Sequence, residues 1–119
     1  MSSSDCIFCK IVAGDIPCRS IYEDDWLLSF YDIHPVTPIH ALVIPKQHLT
    51  SLDDLAGTDR SLAGVLLERT AFIARQLGIA SSGYRTIVNT GSDGGQEVAH
   101  LHLHLLGGGR VGPMVARHP

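Results

Sequence analysis

Histidine is out of proportion in this chain, with seven among 119 residues. Three of them alternate with leucine in His100-Leu101-His102-Leu103-His104-Leu105. Alternation is the period of a strand, in which successive side chains point to opposite faces. The three imidazoles then share one face, about 7 Å apart, and the leucines share the other. Burying imidazoles without partners is costly, so that face calls for a ligand or a metal. On the residues alone three readings stay open. The triplet can be surface decoration, or a three-histidine metal site, since imidazole is a common zinc ligand. It can also be nucleophilic, because a neutral imidazole, with a pKa ordinarily near ~6.5, has a free lone pair at neutral pH.

The nucleophilic reading points to phosphorus. Phosphoryl and nucleotidyl transfer need in-line placement and donors around the nonbridging oxygens, and little covalent machinery. Gly94-Gly95-Gln96 stands just upstream of the triplet. Backbone N–H groups can approach a phosphate closely where side chains are absent.

A second constellation lies at the other end of the chain. Cys6-Ile7-Phe8-Cys9 supplies two thiolates, half of a four-ligand zinc site. A redox dithiol would need a βαβ setting, which the flanking residues do not provide. The two cysteines can equally be small buried residues at a helix start. Cys18, the third, reads as an ordinary thiol. The odd count, with no basic and apolar leader at the N-terminus, speaks against a disulfide framework and for a cytoplasmic chain.

The elements that position these groups can be read from periodicity. Asp5 to Ile16 predicts one or two helical turns closed by Gly14. Arg19 to Glu23 and Trp26 to Tyr31 read as hairpin strands around Glu23-Asp24-Asp25, taken as a solvated turn without chemistry. Pro35 and Pro38 mark a loop containing His34, and His40 to Pro45 reads as a strand. Thr58 or Asp59 can cap a helix to about Leu77, with Leu62, Val65, Leu66, Phe72, Ile73 and Leu77 on one stripe and Gly78 ending it. Arg85 to Asn89 and Val98 to Leu106 complete the strands. Beyond Gly107-Gly108-Gly109 an extended, poorly self-supporting tail is expected, with His118 in it.

This order predicts an α+β fold: an antiparallel sheet of about five strands, with one long and one short helix on one face. A chain of 119 residues, 45% hydrophobic and 18% charged, can bury one core, so residues 1–119 read as a single domain. The net charge of −3, without a basic run, speaks against nucleic acid as a partner. No apolar run reaches the ~20 residues of a membrane-spanning helix.

His100-Leu-His-Leu-His-Leu-Leu106 also resembles the His-φ-His-φ-His-φ-φ signature, with φ apolar, of the histidine triad (HIT) superfamily. Further segments are similar to its Hint, or histidine triad nucleotide-binding, branch: Phe30-Tyr31-Asp32-Ile33, Pro38-Ile-His40 through Pro45-Lys46, Asn89 and Gly94-Gly95-Gln96. The Leu106-Gly-Gly ending, followed by Gly112-Pro113-Met114, resembles bacterial members. The resemblance implies a homodimer that binds purine nucleotides such as AMP and GMP and hydrolyses their phosphoramidates. His102 would attack phosphorus and carry the nucleotidyl group, His104 would hold a phosphate oxygen, and His40 would support them. Asp32 would take the ribose hydroxyls, an apt pairing because a carboxylate is an acceptor only. Phe8, Phe30, Tyr31 and Ile33 would surround the base, while Asn89, Gly95, Gln96 and Glu97 would line the phosphate. Animal Hint proteins have serine at position 97. A carboxylate there repels phosphate unless it turns away, so the backbone N–H of Glu97 is the expected contact. By the same resemblance Cys6, Cys9, His48 and His100 would hold a structural zinc, with no cofactor required for catalysis. Dinucleoside polyphosphate hydrolysis, and a nucleotide-binding regulatory protein with incidental turnover, stand as alternatives.

Overall fold

The computed structural model describes residues 5–57 and 60–116. Thr58 and Asp59, expected to cap the long helix, and His118 lie outside the described residues. The order is α1 (Ile7–Val12), β1 (Ser20–Glu23), β2 (Leu27–Tyr31), β3 (Ile39–Pro45), a 3-10 turn at Leu52–Leu55, α2 (Arg60–Gln76), β4 (Arg85–Ile87) and β5 (Leu103–Gly107). The strands form one sheet in the order β1-β2-β3-β5-β4, and every neighbouring pair is antiparallel. Among the described residues no helix is long and apolar enough to cross a membrane.

Alternation along the strands sorts the core onto both faces of the sheet. Leu27, Ala41, Val43, Leu103 and Leu105 pack with Leu62, Leu66, Ile73 and Ala74 of α2. Leu28, Phe30, Leu42 and Ile44 pack on the other side with Phe8 of α1. The helices therefore cover opposite faces, correcting the expectation that both lie on one. The physical reason is β2 and β3: their residues are apolar at nearly every position, and a strand buried on both sides needs cover on both. Phe72, expected in the buried stripe of α2, is 43% exposed and meets Tyr22 edge-on instead. Thr70 replaces it inside, its hydroxyl donating to the Leu66 carbonyl.

Gly78 ends α2 as expected. It takes φ +75°, its N–H donates to Arg75, and Ile79 N–H donates to Ala74, a Schellman closure. The last strand is shorter than its sequence suggests, since pairing starts at Leu103 and not at Val98. Residues 98–100 form a bend, and the inward position of Leu101 is held separately: it is buried with the α2 core, and its N–H donates to the Leu49 carbonyl. The tail is also better held than expected, because the Arg85 guanidinium donates to the carbonyls of Gly112 and Pro113.

The Glu23-Asp24-Asp25 turn is more than a solvated bend. Asp24 accepts from the backbone N–H groups of Trp26 and Leu27, the Tyr22 hydroxyl and Arg69 Nε of α2. Partial burial pushes its pKa up, but these donors outweigh that and hold the carboxyl below the usual range. Asp24→Ala is expected to destabilise the protein by roughly 1.5–3 kcal/mol, the range for hydrogen bonds to a charged group. Asp25→Ala, at an exposed position, is expected to stay within about 0.5 kcal/mol of wild type. Paired denaturant titrations check the contrast.

Candidate active site

β3 and β5 place the first pair of imidazoles. In their register His40 faces Leu106 and Leu42 faces His104, so His40 and His104 are diagonal neighbours on one face. Their rings meet with His40 Nε2 3.0 Å from His104 Nδ1. The loop before β3 sets the direction of this contact. Val36 N–H donates to His40 Nδ1 at 3.2 Å, so the proton of a neutral His40 sits on Nε2. His40 then donates to His104 Nδ1, and His104 carries its own proton on Nε2. The Asp32 carboxylate lies 3.4 Å from His40 Nε2 and reinforces the same tautomer.

His102 has the opposite tautomer. Its Nδ1–H donates to the His100 carbonyl at 2.7 Å, leaving the lone pair on Nε2. Its ring stands edge-on to Phe8 at 5.2 Å and lies 5.1 Å from His104. A lone pair on His102 and an N–H on His104 thus border one cleft of about 500 Å³. Burial lowers the pKa of His40, with the Asp32 carboxylate opposing. Burial also lowers that of His104, helped by His102 and His40 and opposed by Asp32 and Glu97. Both rings are therefore held neutral.

His100, between them in sequence, leaves the cleft. Its Nε2–H donates to the Pro45 carbonyl at 2.9 Å, which leaves the Nδ1 lone pair facing Cys6 Sγ at 3.3 Å, Cys9 Sγ at 3.6 Å and His48 Nδ1 at 3.2 Å. His48 Nδ1 is 3.1 Å from Cys9 Sγ. One turn of α1 brings the thiols together: Cys6 caps the helix, and its sulfur accepts from Cys9 N–H. Ligand edges of a tetrahedral zinc with two sulfurs and two nitrogens run about 3.3–3.7 Å, so the donor set and spacing fit such an ion. A second cluster, Asp32, His40 and His104, also has its donor atoms within 4.8 Å of one another. It suits a metal poorly, since Val36 N–H keeps a proton on the His40 atom that would have to ligate.

The glycine loop behaves differently from expectation. Gly95 N–H donates to Ser92 and Gln96 N–H to Gly91, so these two of the expected phosphate contacts have their N–H groups engaged inside the loop. The Gln96 side chain ties the loop down by donating to Thr50 and Val98 and accepting from Gly91 N–H. Gln96 is a brace there, and the cleft is lined instead by Asn89, Gly95, Glu97 and Val98. Asn89 also donates to the Gly94 carbonyl. A Cβ at Gly94 would lie 2.3 Å from the Thr90 oxygen, so the loop closes only with glycine there.

An adjoining hollow of about 600 Å³ is mostly apolar, with Phe8, Phe30, Tyr31 and Ile33 around it. Ile33 is 85% exposed and forms its rim, whereas Phe8 and Phe30 are core residues that also floor it. Asp32 joins the two hollows, and its Oδ1 accepts from His34 N–H at 2.7 Å. His34, expected as a plain loop residue, thus orients Asp32 and lines the cleft. Asp32 itself was the signal for this, since an aspartate in a loop readily accepts from the N–H two residues on. Val36 N–H and the Pro45 carbonyl had no such signal, because backbone groups leave no mark in a sequence.

The chain matches the model of the HIT domain family over residues 13–111. It belongs to that family. It is 43% identical over 114 residues to the purine nucleoside phosphoramidase of Escherichia coli (strain K12), covering 96% of each chain. Among solved structures, a histidine triad protein from Clostridium difficile superposes with a TM-score of 0.92 at 44% identity, covering 97% of this chain and 100% of that one. A HIT family hydrolase from Clostridium thermocellum gives 0.91 at 37% identity, with the same coverage of 97% and 100%. The five-stranded antiparallel sheet with one short and one long helix is the fold these relatives share.

The neutral imidazoles of His40 and His104 make stability depend on pH. In the unfolded chain they titrate near ~6.5, while in the folded protein His40 and His104 resist protonation. Below that pH the unfolded state binds more protons, so stability falls as pH falls. Thermal melts are expected to lose Tm between about pH 6.5 and about pH 5. His40→Gln, which deletes one of these groups, is expected to lose it less steeply; equal slopes would contradict the assignment.

Proposed function

We propose that this chain is a HIT-type nucleotide hydrolase that cleaves the P–N bond of purine nucleoside phosphoramidates through a nucleotidyl-histidine at His102. The observation that carries this reading is the pair of opposed tautomers across one cleft. His102 offers a lone pair at Nε2 because its Nδ1–H is tied to the His100 carbonyl, and His104 offers an N–H because His40 donates to its other nitrogen. A nucleophile and a donor for a nonbridging phosphate oxygen are what transfer at phosphorus asks of a protein. The E. coli relative, by its name a purine nucleoside phosphoramidase, supports the substrate class.

In this reading the purine lies in the apolar hollow against Phe8, Phe30 and Ile33, and the ribose hydroxyls donate to Asp32. His102 Nε2 bonds to phosphorus as the P–N bond breaks. Water then attacks phosphorus, releasing the nucleoside monophosphate and restoring the imidazole. Across both steps one water is consumed, its hydroxyl going to phosphorus and its hydrogen to the departing amine. The reading also includes a homodimer, as the family resemblance implies. His102→Asn is expected to lower hydrolysis of an adenosine phosphoramidate by at least ~10³-fold while leaving AMP affinity nearly unchanged. Mass spectrometry of quenched wild-type protein is expected to find the adduct on His102; rapid turnover by the variant would exclude the covalent route.

The proposal extends to zinc at Cys6, Cys9, His48 and His100, supported by the donor set and its spacing. Four protein ligands close a tetrahedral ion, so the metal would tie α1 to residues 48 and 100 and add stability, not Lewis acidity. Cys6→Ser with Cys9→Ser is expected to abolish stoichiometric zinc and lower Tm, while turnover per folded molecule stays within about tenfold of wild type. Metal analysis with parallel melts checks this, and a wild-type protein purified without chelators and free of metal would count against it.

A further inference from the structure

Glu97 stands where three hollows meet. It lines the triad cleft, the apolar hollow and a smaller hollow bordered by Asp5, Cys6 and His48. Its charge is felt at the His104 imidazole. The charges around the triad cleft are unusual for a phosphate site. Asp32 and Glu97 line it, and among the described residues no lysine or arginine does. His40 and His104 are neutral, so the donors offered to a phosphoryl group are uncharged. Arg19, which lines the adjoining apolar hollow, sits over the Tyr31 ring.

An anion entering such a cleft gains no ion pair and approaches two carboxylates. Added negative charge on the substrate makes this worse, and a positive charge offsets it. With the nucleoside in the apolar hollow and phosphorus at His102, the part of the substrate still unaccommodated is the departing amine. Its remaining space is bordered by Glu97 toward the triad and by Glu97 and Asp5 beyond it. Asp32 is engaged by His34 N–H and lies beside His40, which leaves Glu97 as the carboxylate best placed to meet the departing group.

We infer that Glu97 is a specificity-determining residue, selecting phosphoramidates whose departing amine carries a second, positively charged group. This inference rests on the phosphoramidase reading above. Polyphosphates and acidic amines are disfavoured by the same field. Selection of this kind acts on the substrate as a charged body, without a rigid contact, so it also weakens with salt.

The test uses three adenosine 5′-phosphoramidates of matched length: those of butylamine, 1,4-diaminobutane and 4-aminobutanoate. Their kcat/KM values are compared within each protein, so any general loss in a variant cancels. Wild type is expected to favour the diamine over the amino acid by about 30-fold at low salt, falling to a few-fold at high salt. Glu97→Gln is expected to reduce the preference to within about threefold. A preference that persists in Glu97→Gln, or a wild type that treats the three alike, would overturn the role of Glu97 while leaving the phosphoramidase reading intact. No turnover of any of the three by wild type would overturn that reading and this inference together.

Discussion

The arrangement depends most on one residue whose ring and backbone face different sites. The His100 carbonyl accepts the His102 Nδ1–H, the His100 Nε2–H donates to Pro45, and the remaining Nδ1 faces two thiols and His48. If the ring turned, the backbone segment carrying that carbonyl would lose its anchor on β3. The nucleophile's tautomer is therefore held by a residue that does not itself line the triad cleft. Full burial of His100 makes this holding strict, because each of its polar atoms must find a partner inside the protein.

The same logic runs through the other half of the site. Val36 N–H sets the His40 proton, and His40 sets the His104 proton. Each link is a neutral, part-buried hydrogen bond that ends on an imidazole lining the cleft. Two chains of such bonds, one entering from the Pro35–Pro38 loop and one from the end of β3, leave a lone pair and an N–H on the same cleft. Neither arrangement needs a charged group, and among the described residues no lysine or arginine lines the cleft.

The scaffold explains why this geometry is stable. The leucines at 101, 103 and 105 are buried against α2, so the histidines between them cannot rotate to that side without exposing a core residue. Phe8 braces the opposite side, touching Phe30, His100 and His102 edge-on. Gln96 ties the glycine loop to Thr50 and so fixes the wall of the cleft that carries Glu97. Asp24 plays a comparable part at the far end of the sheet, joining the β1–β2 turn to Arg69 of α2.

Much of this was legible in the residues. Alternation put His102 and His104 opposite Leu101, Leu103 and Leu105, whereas His100, in the bend before the strand, turns to a separate site. The spacing of Cys6 and Cys9 brought both thiols to one side of a helix start, and the apolar spacing of residues 62–77 placed a long helix ended by Gly78. Only the tertiary structure decided what those side chains meet. The diagonal register of β3 and β5 set His40 against His104, and the reach of Pro45 and Val36 chose the tautomers. The tertiary structure also braced the glycine loop through Gln96 and the Gly95 and Gln96 N–H groups, while Asn89, Gly95 and Glu97 line the cleft. Composition and period report where side chains point, whereas the proton on a ring nitrogen depends on backbone atoms that every sequence shares and only a fold brings near.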